Sequence, residues 1–490
     1  MSAPDLDPKT PIASSEDRVR VRRPEEYVES LRDGRRVFYR GVRVPDVTEH
    51  QVLRHSVAHA SLDFQMADDP RYRDLAVTDE GYSRYFLVPR GPDDLLRRSR
   101  LIEATTREGR TLVVLIKEIG TDALFALLSL SESLGEPYAG RIRAFYERCR
   151  DDDLAMAVAQ TDAKGDRSRG PAEQENADAY LRVVSRGPDG IVVRGAKLHT
   201  SVSVNANELI VLPTRAMREA DVDYAVAFST PVDTPGLKLV ASPYLSTADK
   251  GSAEFPLSAG RKMTDTVTIF DDVFVPWDRV FMCGEWDKAG DLARGFVEFH
   301  RFTAISYKLP LVDALIGSAL LASHVNGLDR SGHVRDKLAW LISYAETLRA
   351  LTHQAATDCR ITAGIAVPNP LLVNIAKLQF AQGFHQALAH VQDIAGGLLV
   401  TYPSPEDLEN DEYGALVRAS LQGANGSGGA ERLRVMNLVS DLTTGEFGGY
   451  QAVLAIHAEG SIEAEKLTIL SHYPRAEAMR YARWLAGLDE

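Results

Sequence analysis

Apolar positions along this chain keep one spacing, switch to a second, and then return to the first. From residue 21 to about 150 they recur every three or four residues, the period of a helix with one buried face. Leu53, Val57, Ala60 and Leu62 fall roughly along one such face. Arg23-Pro24-Glu25-Glu26-Tyr27 opens a helix with proline and acids in its first turn, and Asp93-Asp94-Leu95-Leu96-Arg97-Arg98 opens another. Pro45-Asp46-Val47-Thr48-Glu49-His50 reads as a further helix start, with Thr48 as its cap. Residues 112–119 form an apolar patch broken by Lys117 and Glu118; Gly120 interrupts, and 122–130 continues helically.

Between about 151 and 281 the period becomes two. Short β-rich runs lie at 191–193, 209–212, 224–228, 237–240 and 267–274. Pro188-Asp189-Gly190, Thr234-Pro235-Gly236 and Asp271-Asp272 supply turn material between or within them. Strands at this spacing predict a small barrel or sandwich. From 282 onward, long helical segments cover 286–327, 333–358 and 370–395, and Gly396-Gly397 ends the third. A Gly/Ser loop at 423–429 precedes a last helical group at 431–486, and the whole predicts a bundle. The expected class is α+β: a disordered tail over 1–20, an N-terminal α-helical domain over 21–150, a central β-barrel or sandwich domain over 151–281, and a C-terminal helix bundle over 282–490.

Composition narrows the function classes. A net charge of −13 over 490 residues argues against nucleic acid as a main partner. No run of about eighteen uninterrupted apolar residues occurs, so no membrane span is expected. The first residues lack the apolar core of a signal peptide. Cys149, Cys283 and Cys359 form neither a metal spacing nor a disulfide framework, which fits a reducing cytoplasmic compartment. His55 and His59 stand four apart on a predicted helix without a third ligand nearby and read as ordinary helix residues. No G-x-G-x-x-G follows a strand, and no Walker loop, G-x-S-x-G or H-E-x-x-H is present. A single-chain enzyme that consumes nicotinamide is therefore not expected.

The polar turn Gln160-Thr161-Asp162-Ala163-Lys164-Gly165-Asp166-Arg167-Ser168 lies where helical patterning gives way to strands. Hydroxyl, amide, carboxylate and cation in one turn can meet a flat ring with donor and acceptor edges, such as a flavin. Local composition alone favours a solvated domain linker. Lys197-Leu198-His199-Thr200-Ser201 follows one strand later, and hydroxyls from Thr161 and Thr200 can address the N5 and carbonyl edge of such a ring.

More matches follow in order: Tyr27-Val28-Glu29-Ser30-Leu31-Arg32-Asp33-Gly34-Arg35, Ile269-Phe270-Asp271-Asp272-Val273-Phe274-Val275-Pro276, Gln392-Asp393-Ile394-Ala395-Gly396-Gly397, and Gly445-Glu446-Phe447-Gly448-Gly449. With these motifs the chain resembles the 4-hydroxyphenylacetate 3-hydroxylase (HpaB) family, which also contains 4-hydroxybutyryl-CoA dehydratase. The element order resembles the acyl-CoA dehydrogenase-like fold, whose flavin lies between β domain and bundle. The resemblance implies a homotetrameric flavoprotein that binds FAD. It implies flavin contacts from Gln160, Thr161, Asp166, Arg167, Ser168 and Thr200, and a second flavin segment at Gly448, Gly449 and Gln451 reaching toward a neighbouring subunit. Tyr450 stands where hydroxylases of the family carry arginine.

Two departures bear on activity. The dehydratase branch holds an iron–sulfur cluster on three cysteines and a histidine; His300 matches the histidine, but Val114, Glu118 and Tyr307 stand at the cysteine positions. Ala304 and Val453 or Leu454 stand where that branch carries its active tyrosine and glutamate. The phenol-hydroxylase branch grips its substrate with Arg, Tyr and His, and here Ile119, Ala123 and Val158 occupy those places. His300, Arg301 and Tyr307 remain as candidate catalytic groups, with a core histidine beside a surface arginine as the ordinary alternative. The expected activity is a two-component monooxygenase: reduced FAD from a separate flavin reductase, oxygen, and an aromatic, phenol-like substrate. The rivals are a redox-neutral isomerase or lyase on an acyl-CoA-type thioester, with Asp265 as a nearby base, and a non-catalytic assembly protein that kept the fold.

Overall fold

The structure is a computed structural model that describes residues 21–246 and 250–488; the expected tail over 1–20 lies outside the described residues. Proline and acidic first turns set several helix starts, as the sequence predicts. In chain order the helices are α1 (Pro24–Glu29), α2 (Arg54–Ala60), α3 (Leu62–Asp68), α4 (Arg73–Ala76), α5 (Pro92–Glu108), α6 (Glu118–Leu134) and α7 (Tyr138–Asp151). After the strands come α8 (Trp286–Val325), α9 (Gly332–Thr357), α10 (Pro370–Ala395), α11 (Pro405–Leu408), α12 (Gly414–Ser420), α13 (Gly429–Thr443), α14 (Glu446–His457), α15 (Ile462–His472) and α16 (Arg475–Leu485). The strands are β1 (Val37–Tyr39), β2 (Val42–Val44), β3 (Met156–Ala159), β4 (Arg182–Arg186), β5 (Gly190–Ser201), β6 (Glu208–Val211), β7 (Val226–Pro231), β8 (Leu237–Ala241), β9 (Asp265–Pro276), β10 (Val280–Cys283), β11 (Arg360–Thr362) and β12 (Ile365–Val367).

A six-stranded sheet runs β2-β1-β8-β9-β5-β4 and a four-stranded sheet runs β10-β7-β6-β3. β3 and β6 are buried at every position, so their side chains do not alternate between core and solvent. The N-terminal segment is not purely helical. β1 pairs antiparallel with β2 and parallel with β8, so the hairpin extends the central sheet. Two further expectations are corrected. Pro45–His50 does not start a helix: Asp46 accepts from the amide and hydroxyl of Thr48 in a turn, and α2 begins at Arg54. Gly120 does not interrupt α6; a Cβ there would approach Met156 Cβ to 2.3 Å, so the glycine lets α6 lie close on β3.

α8 is the axis of the bundle and packs against α5, α6, α9, α10 and α13. By length and composition it would be apolar enough to cross a membrane, yet 61% of its most apolar window is buried among the other helices. Phe125 on α6 meets Phe299 on α8 edge-on at 5.7 Å, which joins the N-terminal helices to the bundle. The fold is the acyl-CoA dehydrogenase-like one that the element order implies.

Candidate functional site

The turn at 160–168 is fixed at its start and open at its end. Asp162 is buried, and its Oδ1 lies 2.9 Å from the Lys197 ammonium. The Leu181 amide donates to the same oxygen at 2.9 Å, and the Thr214 hydroxyl donates to the other. Lys197 also donates to the carbonyls of Gln160 (2.8 Å) and Leu212 (3.0 Å). Burial lowers the pKa of Lys197, and the adjacent carboxylate opposes that shift. The Leu198 amide donates to the Thr161 carbonyl at 2.9 Å and Asp162 bridges to Lys197, so this end of the turn lies alongside β5. Gln160 faces the bundle, its amide 3.5 Å from the Ala293 carbonyl on α8.

Beyond Asp162 the chain turns outward through Lys164 (φ 68°) and Gly165 (φ 48°), where a Cβ would meet Gln174 Oε1 at 2.4 Å. Asp166, Arg167 and Ser168 are exposed, and Asp166 accepts from the Ser168 amide (3.0 Å) and hydroxyl (2.7 Å). Arg167 and Ser168 line a polar surface recess with Arg215 and Arg218. The expected contact set is therefore split between the seam of sheet and bundle and the outer surface.

Thr200 lies at a β-bulge between β5 and β9. Its hydroxyl is buried without a hydrogen-bond partner among the described residues. Next to it, the Ser201 hydroxyl donates to Asp265 Oδ1 (2.6 Å), and the Tyr450 hydroxyl donates to Asp265 Oδ2 (2.9 Å). The segment with Gly448, Gly449 and Gln451 on α14 thus sits over the Thr200 end of β5 in the same chain. Both oxygens of Asp265 are engaged, one by Ser201 and the other by Tyr450. The opening motif serves the same place: Tyr27 donates to the Asn205 carbonyl and Arg35 to the carbonyls of Val204 and Ala206, all at 2.8 Å.

The three catalytic candidates on α8 point to different surroundings. His300 stacks on Phe296 at 5.0 Å, and its Nδ1 lies 3.1 Å from Asp122 Oδ2. Asp122 Oδ1 accepts from Arg98 (2.8 Å) and Thr303 (2.9 Å), so the histidine belongs to a buried ion-pair network. Arg301 is neither on the surface nor free for chemistry: it is buried and donates to the Glu459 carbonyl (3.1 Å) and to Asn374. Tyr307 reaches a narrow cleft, which Lys308, Phe380, Gln451, Leu454 and the backbone turn at 111–113 also line. Tyr307 and Gln451 are thereby brought to one cavity. Ile119, Ala123 and Val158 are buried members of the main apolar cluster.

Sequence reading passed over the groups that hold Tyr307. Its hydroxyl donates to Glu459, whose other oxygen lies 2.6 Å from Lys308 Nζ. Lys377 and Glu465 complete the cluster at 3.3 Å from one another. The available signal was charge at the buried phase of an apolar helix: Lys308 in α8 and Lys377 in α10.

Family models for the N-terminal and C-terminal parts of 4-hydroxyphenylacetate 3-hydroxylase match residues 23–282 and 289–487. This chain belongs to the 4-hydroxyphenylacetate 3-hydroxylase family. It is 30% identical over 486 residues to the 4-hydroxybutyryl-CoA dehydratase/vinylacetyl-CoA-Δ-isomerase of Clostridium aminobutyricum, covering 95% of this chain and 99% of that one. It is also 30% identical over 433 residues to the oxygenase component of 4-hydroxyphenylacetate 3-monooxygenase from Thermus thermophilus, covering 87% of this chain and 89% of the relative. A crystal structure of such an oxygenase component with FAD superposes with a TM-score of 0.88 at 27% identity, covering 95% of this chain and 98% of that one. Members of the 4-hydroxyphenylacetate 3-hydroxylase family thus include monooxygenases and a dehydratase.

The donor set at the dehydratase branch's cluster positions does not fit an iron–sulfur cluster. Val114 and Glu118 are buried there, Glu118 accepts from the Tyr85 hydroxyl at 3.3 Å, and Tyr307 is committed to Glu459. Burial raises the pKa of Glu118, and thiolates, which a cluster requires, are missing from all three positions.

Proposed function

We propose that this chain is the oxygenase component of a two-component flavin-dependent monooxygenase, which takes reduced FAD from a separate flavin reductase and hydroxylates a phenol-like aromatic substrate. The observation that carries this reading is the Thr200 hydroxyl, which is buried and has no hydrogen-bond partner among the described residues. A buried hydroxyl left unpaired costs about 1–3 kcal/mol, so a ligand that pairs with it gains that interaction. A flavin edge between β5 and α14 supplies such a partner. When bound, reduced FAD supplies the oxygen chemistry. The chain's own groups bind and enclose: Thr161 and Thr200 from the sheet, Gln160 from the turn, and Gly448, Gly449 and Gln451 from α14. Val158, Ile119 and Ala123 exclude water from the acceptor side.

Thr200→Val is expected to leave the unfolding midpoint of the FAD-free protein unchanged or slightly raised. The same change weakens FAD about tenfold in a fluorescence titration, the effect of one net hydrogen bond. Equal FAD affinity in the two proteins would place the flavin elsewhere. The activity itself is tested by anaerobic titration with reduced FAD, then oxygen in a stopped-flow spectrometer. A transient flavin spectrum, distinct from both the reduced and oxidised forms, is expected; direct return to oxidised FAD at the rate of free flavin would sink the reading.

A second reading, a redox-neutral lyase or isomerase on an acyl-CoA-type thioester, is favoured by the near full-length match to the Clostridium dehydratase. The lack of cluster thiolates weighs against it. Turnover of an acyl thioester without oxygen or reductase decides between them. Assembly as a homotetramer is part of the proposal. α16 has no buried residue and exposes Met479, Tyr481, Trp484 and Leu485, an apolar arm suited to packing on another copy of the chain.

A further inference from the structure

We propose that Tyr307, Glu459 and Lys308 form a proton-transfer triad that ionises the substrate's phenol in the cleft beside Gln451. This inference rests on the phenol-hydroxylase reading above. It replaces, from the bundle side, the polar grip lost at Ile119, Ala123 and Val158.

Three observations converge on it. The first is geometric: the Tyr307 hydroxyl donates to Glu459 Oε1, and Lys308 Nζ lies 2.6 Å from Glu459 Oε2 and 3.4 Å from the Tyr307 oxygen. Tyr307 and Lys308 both line the cleft, while the Glu459 side chain is buried behind them. The second is backbone conformation. Glu459 has φ 57° in a non-glycine residue, and Gly460 follows at φ 117°. Arg301 grips the Glu459 carbonyl at 3.1 Å and crowds Gly460, so the surrounding structure holds this conformation and aims the carboxylate inward.

The third observation is the charge balance. Arg301, Lys308 and Lys377 supply three cations, against Glu459 and Glu465 as two anions, all buried. Glu298 on α8, the remaining acid near Arg301, is taken by Arg360 at 2.5 Å. One positive charge is left over where the cluster meets the cleft. A phenolate in the cleft balances it. Burial raises the Glu459 carboxyl well above the usual carboxylate range and lowers the Lys308 ammonium well below its own, and their 2.6 Å contact opposes both shifts, so Glu459 held as a carboxylate beside Lys308 is a stronger base than an exposed one.

The step is balanced within the triad. The substrate O–H bond breaks and its proton bonds to the Tyr307 oxygen. The Tyr307 O–H bond breaks in the same event, and that proton bonds to Glu459 Oε1. The products are substrate phenolate and neutral Glu459, with Lys308 still charged beside both. Tyr307 touches the substrate; Glu459 and Lys308 act through it.

The test uses the FAD-loaded protein and 4-nitrophenol, a phenol whose ionisation is visible in its absorbance. The wild type is expected to bind the probe as phenolate at a pH at least one unit below the probe's pKa in water. Glu459→Gln keeps a partner for Tyr307 but cannot take its proton, and it is expected to bind the probe in its neutral form. Tyr307→Phe gives the same result while removing a single oxygen. Near-ultraviolet circular dichroism and retained FAD confirm that each variant is folded. If the wild type and both variants hold the probe in one ionisation state, or if the wild type binds none, the triad is overturned. None of these readings involves oxygen, so the inference fails or stands apart from the stopped-flow test of the monooxygenase.

Discussion

Asp162→Asn is expected to lower the unfolding free energy by about 3–5 kcal/mol and to weaken the binding of added FAD. The carboxylate is the anionic partner of Lys197 at 2.9 Å, and both side chains are at most 3% exposed. Asparagine keeps the shape and can still accept from the Leu181 amide. It leaves the ammonium with the carbonyls of Gln160 and Leu212, dipoles in place of a charge. Removing one member of a buried pair leaves the other charge uncompensated, and this outweighs the loss of one hydrogen bond, about 1 kcal/mol. Because Lys197 ties the Gln160 carbonyl to β5, the loosened ammonium frees the start of the turn, Thr161 included. Guanidinium unfolding and a fluorescence titration with FAD check the two halves. Asp162→Asn combined with Lys197→Met is expected to recover part of the lost stability, since the stranded charge is then gone. A single variant within 1 kcal/mol of the wild type would mean that water reaches Lys197.

The turn at 160–168 was legible as polar and hinged, but not as two pieces with different fates. What separates them is Asp162 folding under β5, and its partner Lys197 lies 35 positions along the chain. Long helices were legible because periodicity over more than twenty residues averages out local exceptions, as in α10. The hairpin of β1 and β2 was missed because three-residue strands hold too few positions to show an alternation. α6 was read as broken at Gly120 because glycine has poor helix propensity, but close packing on Met156 outweighs that cost of about 1 kcal/mol. The site shows the same division. Family motifs pointed to Thr200 and Gln451, whereas Glu459 falls inside the last predicted helical group, 431–486, where no motif singles it out. Only its contacts with Arg301, Tyr307 and Lys308 reveal that it is folded inward.

Asp122→Asn and His300→Gln are expected to separate stability from chemistry at the buried network between α6 and α8. Asp122 has no exposed surface and accepts from Arg98, Thr303 and His300 at 2.8, 2.9 and 3.1 Å. Arg98 is 5% exposed, and its other acceptors are neutral: the Tyr85 and Glu118 carbonyls and the Thr121 hydroxyl. The asparagine variant therefore strands a guanidinium charge and is expected to lose about 3–5 kcal/mol of unfolding free energy. His300→Gln removes one hydrogen bond and a stacked ring, and is expected to lose only about 1–2 kcal/mol. Thermal and guanidinium unfolding of the two variants should differ accordingly. If His300 orients the phenol or the flavin, the glutamine variant also loses most of its turnover while retaining its fold and its FAD. If its turnover instead tracks its small loss of stability, His300 belongs to the scaffold that Asp122 holds together, and the chemistry at α8 falls to Tyr307.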